Sequence, residues 1–399
     1  MIATNFNNNW IIVPLGGIGK RLRPYTQERA KALVPLINNF PITEFAFYNL
    51  ASALGFRHFA FGVNGYLNYL NVQSYYQGGS GWSTKLGLHP QANFQYQNPN
   101  YQDRGSADSV LYNIKKFNIA NTVVVVNCDN FFSSVDLKDM LMLAQKSSLP
   151  FFIGLVKVNN PEHYGVAKLA KDSQTIESFV EKPAWLKGTP ALVNSGVYVI
   201  KPAAFPYLKG DFGKETLPVL EKMGLLGGYH FTKPWYDFGS PQFHLTSFQS
   251  LMAGSFDYLK PFIKRSYIQV TGKNVWIRGR DSYSCHISES LKKRIEKGEI
   301  KTEGTVLIGR DCFIGPGVNL ENASIGDMAV IEGNALIENS NILDAWFISQ
   351  GVKIKNSFFG RCGMVADFSQ IENSFLGDNV EVGTNKHLKN QTVGNHQII

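Results

Sequence analysis

Between residues 10 and about 250, short runs of apolar β-formers alternate with longer amphipathic stretches. WIIVPL (10–15), HFAFGV (58–63), TVVVVN (122–127), FFIGLVKV (151–158) and SGVYVI (195–200) are β-rich and bounded by turn residues. Between them, ITEFAFYNLASALG (42–55) and SADSVLYNIKKF (106–117) space their apolar positions for helices. Buried strands alternating with helices predict an α/β domain with a mixed or mostly parallel sheet covered on both faces. Ligands of such sheets bind beyond the carboxyl ends of the strands. Chemistry is therefore expected just after WIIVPL and just after TVVVVN.

Past residue 250 the pattern changes. SFDYLKPFIKRSY, GKNVWIRGRD and the basic helix pattern SESLKKRIEKGEI read as a connector over 251–303. From 304 the apolar anchors become periodic, at Ile308, Ile314, Leu320, Ile325, Ile331 and Ile337. They resume at Ile348, Ile354, Val365, Ile371, Leu376 and Val382. Steps of six, with occasional fives, predict one short strand and one turn per repeat, three repeats closing a triangular coil of a parallel β-helix. The expected organisation is a sheet domain over 1–250, the connector 251–303, and a coil with a short tail over 304–399.

A chain of 399 residues exceeds one ordinary core, which agrees with two domains. With 44% hydrophobic and 13% aromatic residues it is not a disordered polymer. Four scattered cysteines (Cys128, Cys285, Cys312, Cys362) form no CxxC pair, so neither a disulfide framework nor a zinc site is expected. No signal-peptide pattern and no membrane-length apolar run stand out, and the expectation is a cytoplasmic protein without a membrane partner. The formal charge of +8 suits an anionic partner. Its basic residues are dispersed, with no recognition-helix motif, which argues against nucleic acid.

The informative part of that charge follows the first strand. Gly16-Gly17-Ile18-Gly19 leads into a cluster of cations, Lys20, Arg21, Arg23, Arg29 and Lys31. Glycines after a strand let backbone N–H groups approach phosphate oxygens, and the cations fit a triphosphate. The loop is not a Walker motif, because Pro14 stands at its first glycine and Arg21 at its Ser/Thr. Nor is it a dinucleotide fingerprint, because Leu22 replaces the third glycine. Asp129 follows the strand VVVV; a carboxylate there can hold a hard cation or simply cap a helix.

PLGGIGKRLRPYT…RAKALVPL resembles the signature of the sugar-1-phosphate nucleotidylyltransferases, in which a GGxGxRLxPxT loop and a following lysine hold a nucleoside triphosphate. Arg104-Gly105-Ser106-Ala107-Asp108-Ser109 resembles the GTAxA segment of that family. Tyr164-Gly165-Val166, Phe179-Val180-Glu181-Lys182-Pro183 and Asn194-Ser195-Gly196 resemble its sugar-binding segments. Trp235-Tyr236-Asp237-Phe238-Gly239-Ser240 is similar to W-x-D-x-G-T. Ala30-Lys31-Ala32 departs from the usual Pro-Lys-Pro, which puts the rigidity of that loop in doubt but keeps the cation.

The resemblance implies a Rossmann-like nucleotidyltransferase domain followed by a left-handed parallel β-helix of hexapeptide repeats. Its reaction is attack of a sugar 1-phosphate on the α-phosphorus of the triphosphate. It further implies that Arg21 and Lys31 contact phosphates. Gly16, Gly17, Gly19, Gln97 and Gly105 would take the nucleotide. Gly165, Glu181, Lys182 and Asn194 would take the sugar phosphate, and Asp129 with Asp237 would hold Mg²⁺. RAK before VPL, RGSADS and Asp211–Glu215 resemble the glucose-1-phosphate adenylyltransferase branch, so the base and sugar read as ATP and glucose 1-phosphate. The YGV and NSGVY segments keep mannose-1-phosphate guanylyltransferase, or glucose-1-phosphate thymidylyl- or uridylyltransferase, as the alternative.

A hexapeptide acyltransferase needs a histidine base, and residues 304–385 contain none. A regulatory homologue without chemistry should have lost a phosphate or metal group, and Arg21, Lys31, Asp129, Lys182 and Asp237 are all present. The coil is expected to serve assembly into a homo-oligomer, a dimer or tetramer.

Overall fold

The computed structural model describes residues 6–279 and 285–399. The chain divides into two compact units, both discontinuous in sequence. The first comprises the segment up to Ile18, Ala30–Ala32 and Ala46–Tyr236; the second comprises Gly19–Arg29, Leu33–Phe45 and Asp237–Ile399.

The core of the first unit is a nine-stranded sheet. Trp10–Leu15 lies at its centre, parallel to His58–Val63 on one side and to Val123–Val126 on the other. Asn93–Tyr96 extends the parallel set beyond His58–Val63. Ile11, Ile12, Val13 and Val123 to Val125 are each 0% exposed, as expected for strands covered on both faces. The helices Ile42–Ala53 and Ser106–Lys116 fall where their apolar spacing predicts.

The parallel order stops at Val123–Val126. Ala191–Ile200 runs antiparallel to it and to Phe151–Val158, so the sheet is mixed. That strand begins four residues earlier than SGVYVI suggests, because Ala191 to Asn194 pair with Val158 to Leu155 ahead of a register shift between Asn194 and Tyr198. Gly196 lies in this irregularity with φ 78°. A Cβ there would collide with the amide of Asn127, so the glycine answers both a left-handed backbone and a close approach.

In the second unit the coil strands stack parallel with an offset of 17 residues, apart from Lys301, Thr302 and Glu303, which pair at 18 before the register shifts. Leu320 pairs with Ile337, Ile337 with Ile354, Ile354 with Ile371 and Ile371 with Leu388. The other two faces repeat the offset, as in Ile325–Ile342 and Ile331–Ile348. One turn of the coil is therefore two steps of six and one of five. The fives are not occasional; from Leu320 on they recur on the same edge of each coil. The periodic anchors skipped Ile342 and Phe359 because their apolar neighbours Leu343 and Phe358 blur the period. The connector contributes too: Val275–Arg278 lies parallel on Lys301–Ile308.

The short edge turns at Asn322, Asn339, Asn356, Asn373 and Asn390, all with φ between 43° and 55°. Asparagine tolerates the left-handed region better than any other residue with a branched or long side chain. Buried serines close the same edge. Ser340, Ser357 and Ser374 are each 0% exposed. Each donates to the carbonyl two residues back, at 2.7, 2.7 and 2.8 Å. Each accepts the N–H one coil on, from Ser357, Ser374 and Gln391, at 3.0, 3.1 and 3.1 Å. The hydroxyls thus satisfy backbone donors that a five-residue side leaves without ladder partners.

Gly309, Gly326, Gly360, Gly377 and Gly394 form a column at multiples of 17. A Cβ on Gly326 would strike the backbone of Leu343 and Asp344 in the next coil. Gly326→Ala should lower stability by about 1–3 kcal/mol, the usual effect of overpacking. Asn373→Gly, at an open left-handed corner, should be nearly neutral. Thermal and urea unfolding of both variants checks the contrast.

Candidate active site

Trp10–Leu15 stands between strands reached in opposite directions, because the chain first builds outward through His58–Val63 and then returns to Val123–Val126. A crevice opens beyond the carboxyl ends at such a switch point. Here Gly16 and Gly17 leave one strand and Asn127 leaves the other. They line a cavity of about 440 Å³ with Asp103, Arg104 and Asp211. The cavity lies wholly in the first unit.

Gln97, behind the lining residue Ser109, is 0% exposed. Its carbonyl oxygen accepts from Ser109 Oγ at 2.8 Å and Asn113 Nδ2 at 2.9 Å. That fixes the amide orientation and turns its NH₂ toward Asp103, whose Oδ2 lies 3.5 Å away. Asp103 itself leans over Gly16, where an added Cβ would come 3.3 Å from the carboxylate. Burial, with help from the charge of Asp108, pushes the carboxyl of Asp103 above its ordinary value. The sequence motifs did not single out Asp103. Its signal was an acidic residue two positions before the glycine of RGSADS.

Gly105 has φ 151°, and a Cβ would lie 2.6 Å from Gly210 and Asp211 backbone atoms. The helix Ser106–Lys116 starts there by donating from Ala107 and Asp108 N–H to the Gly210 carbonyl, at 2.9 and 3.0 Å. Ser106 Oγ and Asp211 Oδ2 are 3.1 Å apart. The glycine is thus required by the docking of two backbones, besides any room it leaves for a base.

At the neighbouring edge, Glu181 and Gly165 are paired across antiparallel strands. A Cβ on Gly165 would lie 2.8 Å from Glu181 Oε2, and one on Gly213 2.5 Å from it. The carboxylate is therefore flanked by two glycines. Lys182 follows with φ 48°, a left-handed backbone for a non-glycine residue, and its Nζ lies 3.3 Å from Glu181 Oε1. Asn194 donates to Tyr198 Oη at 2.8 Å and accepts from Gly196 N–H at 2.9 Å. The charge of Glu181 reaches the same Tyr198 hydroxyl, whose pKa burial raises above the ordinary tyrosine value. Gly165, Glu181, Lys182 and Asn194 are thus brought together.

Asp129 follows the buried Cys128, whose thiol burial pushes up to about 12. Its carboxylate pairs with Lys31, both side chains being largely buried. These two predicted residues meet within the first unit. Gly19 and Arg21 belong to the second unit, Arg21 on the short 3-10 turn Lys20–Leu22 and Gly19 just before it. Gly19 has φ 64° and Thr26 Oγ1 donates to its carbonyl at 2.8 Å. Asp237 opens the last segment of the second unit. Its Oδ1 accepts from Gly239 N–H at 2.7 Å and its carbonyl from Ser247 Oγ at 2.7 Å. Among the described residues no helix is long and apolar enough to cross a membrane.

Comparison with known proteins gives this geometry its family. The model described as "GMPPB C-terminal domain" matches residues 297–399. The chain is 29% identical over 239 residues to the mannose-1-phosphate guanylyltransferase catalytic subunit beta of Danio rerio, covering 59% of this chain and 62% of that one. It is 26% identical over 211 residues to mannose-1-phosphate guanylyltransferase 1 of Arabidopsis thaliana, covering 52% and 50%. A glucose-1-phosphate adenylyltransferase of Pseudarthrobacter chlorophenolicus is 28% identical over 247 residues, covering 55% and 51%. The chain thus spans between half and two thirds of the length of these relatives. The model described as "Nucleotidyl transferase" matches residues 11–253, more than half of the chain, and the chain belongs to that family.

Proposed function

We propose that the protein transfers a nucleotidyl group from a nucleoside triphosphate to a sugar 1-phosphate, with GTP and mannose 1-phosphate as the pair. The observation that carries the reading is the cavity at the strand ends, with Gly16 and Gly17 on one wall and the carboxylate of Asp103 over Gly16. The guanine edge presents two adjacent N–H donors, and a carboxylate, which only accepts, can take both. Adenine presents a donor beside an acceptor, so one carboxylate oxygen would face a lone pair. The mannose-1-phosphate guanylyltransferases among the relatives favour the same choice. This replaces ATP and glucose 1-phosphate, to which RAK, RGSADS and Asp211–Glu215 pointed.

In this reading an oxygen of the sugar phosphate attacks the α-phosphorus, the α–β bridging bond breaks, and pyrophosphate departs with that electron pair. Both reactants are anions, so the residues act mainly by positioning and by neutralising charge. Lys31 approaches the α-phosphate and the attacking phosphate, and its present partner Asp129 keeps it extended. Arg21 contacts the triphosphate. Glu181 accepts sugar hydroxyls between Gly165 and Gly213, with Lys182 and Asn194 at the sugar phosphate. Asp129, a hard carboxylate-oxygen donor, suits Mg²⁺, which is commonly held by one or two carboxylates plus substrate phosphates. When bound, the ion would neutralise charge on the phosphates.

Pyrophosphate release measured over four nucleoside triphosphates and glucose, mannose, galactose and N-acetylglucosamine 1-phosphates should be greatest for GTP with mannose 1-phosphate. A preference for ATP would sink the base assignment, and release with no pairing would sink the enzyme. Asp103→Asn should lower kcat/KM for GTP about tenfold or more, a loss of about 1.4 kcal/mol, while affecting ATP less. Asp129→Asn should reduce turnover by at least about a hundredfold with the unfolding midpoint little changed; a fully active variant would remove Asp129 from the site.

A further inference from the structure

The segment Gly19–Arg29, which carries Arg21, belongs to the same compact unit as the coil. Its residues sort by side. Lys20, Arg21 and Arg23 are exposed, while Leu22, Pro24, Tyr25 and Thr26 are buried. The buried side is fastened to the coil at two successive turns. Tyr25, 1% exposed, donates from Oη to the Phe358 carbonyl at 2.6 Å, and its ring lies 4.2 Å from the Phe358 ring. Phe358 is held from another side by His244, stacked at 4.3 Å with 10° between the planes. Burial raises the Tyr25 hydroxyl pKa well above its ordinary value, so it remains a donor through the physiological range.

One coil further, Arg29 forms an ion pair with Asp378, with side chains 11% and 9% exposed. Asp378 is itself placed by the stack. Its Oδ1 accepts from Arg361 N–H at 2.7 Å, and its own N–H donates to Asn395 Oδ1 at 3.0 Å. At the exposed end, His396 Nε2 and Glu28 Oε1 are 3.0 Å apart. A buried ion pair is weak evidence for stability in general, since desolvation offsets most of its attraction. Its use is geometric: removing either partner leaves a buried charge, so the segment is held to one register.

We propose that the coil positions the phosphate-binding loop, with Tyr25 and Arg29 as positioning residues and Phe358 and Asp378 as their seats. This rests on the reading of Arg21 as a triphosphate contact. Lys20, Arg21 and Arg23 repel one another, and a free loop would spread them. Fixing Leu22, Tyr25 and Arg29 beneath them holds the cations in place before the anion arrives, so that binding need not order them. The coil then has a role inside each chain, separate from any role in assembly.

The test uses the full chain, with binding of inorganic tripolyphosphate in Mg²⁺ measured by calorimetry and steady-state kinetics beside it. Tyr25→Phe and Asp378→Asn should each weaken tripolyphosphate binding about tenfold. Both should lower kcat/KM for the triphosphate, while KM for the sugar 1-phosphate stays within about twofold. Arg29→Lys, which keeps the charge, should lose less than Arg29→Met. Gly326→Ala serves as control, because it strains the coil without touching the segment. Variants that bind within about twofold of the parent, or lose no more than the control, overturn the proposal. A parent chain that binds no tripolyphosphate overturns the phosphate role of the loop itself, and this proposal with it.

Discussion

The first unit depends on one divergence. Trp10–Leu15 and Val123–Val126 are neighbours in the sheet, yet the segments that leave their carboxyl ends turn away from each other. The gap between them is lined by Gly16 and Gly17, which carry no side chains of their own, with the Asp103 carboxylate over Gly16 and Asn127 on the other strand's side. The strands that make the gap are apolar on both faces, so the rigidity of the site comes from ordinary burial of valine and isoleucine. The polar residues around it are held by that frame and by each other, as Gln97 is by Ser109 and Asn113.

Charge near this gap is kept in opposed pairs. Lys31 faces Asp129, and Lys182 faces Glu181 from a backbone conformation that non-glycine residues rarely adopt. Each pair unites groups that the proposed chemistry assigns to different partners, one to phosphate and the other to a cation or a hydroxyl. Mutual pairing keeps partly buried charges compensated, and the same groups can exchange each other for ligands of the appropriate sign. Strain at Lys182 agrees with this, since such conformations persist where surrounding structure holds them for a purpose.

Much of the fold was legible because its signals are local. Strand ends at Trp10–Leu15, His58–Val63 and Phe151–Val158 follow from runs of β-formers, and the glycine loop from residue types alone. What escaped was set by distant neighbours. Ala191–Ile200 begins early because its first residues pair with Phe151–Val158, a partner that local pattern does not name. Asp103 belongs to none of the motifs, and only the fold brings it over Gly16. Gly105 resembled a base-binding glycine, whereas the backbone of Gly210 and Asp211 needs the same space. Arg29 was counted among the cations for a triphosphate and Tyr25 among the residues of the loop signature, whereas Arg29 pairs with Asp378 and Tyr25 with the Phe358 carbonyl, seats more than three hundred residues away.

The stacked half has a further property that follows from its repeated offset. Because the asparagine corner, the serine bond and the glycine column each recur at 17 residues, every coil is in phase with those beside it. An extra residue within one side must be taken up where it occurs, as between Glu303 and Val306, where the pairing onto Asn319–Ile325 passes from an offset of 18 to one of 17. Left uncorrected, it would turn all subsequent side chains onto the wrong face. Length in this half therefore changes freely only by whole turns, and a smaller insertion survives as a local bulge or an outward loop.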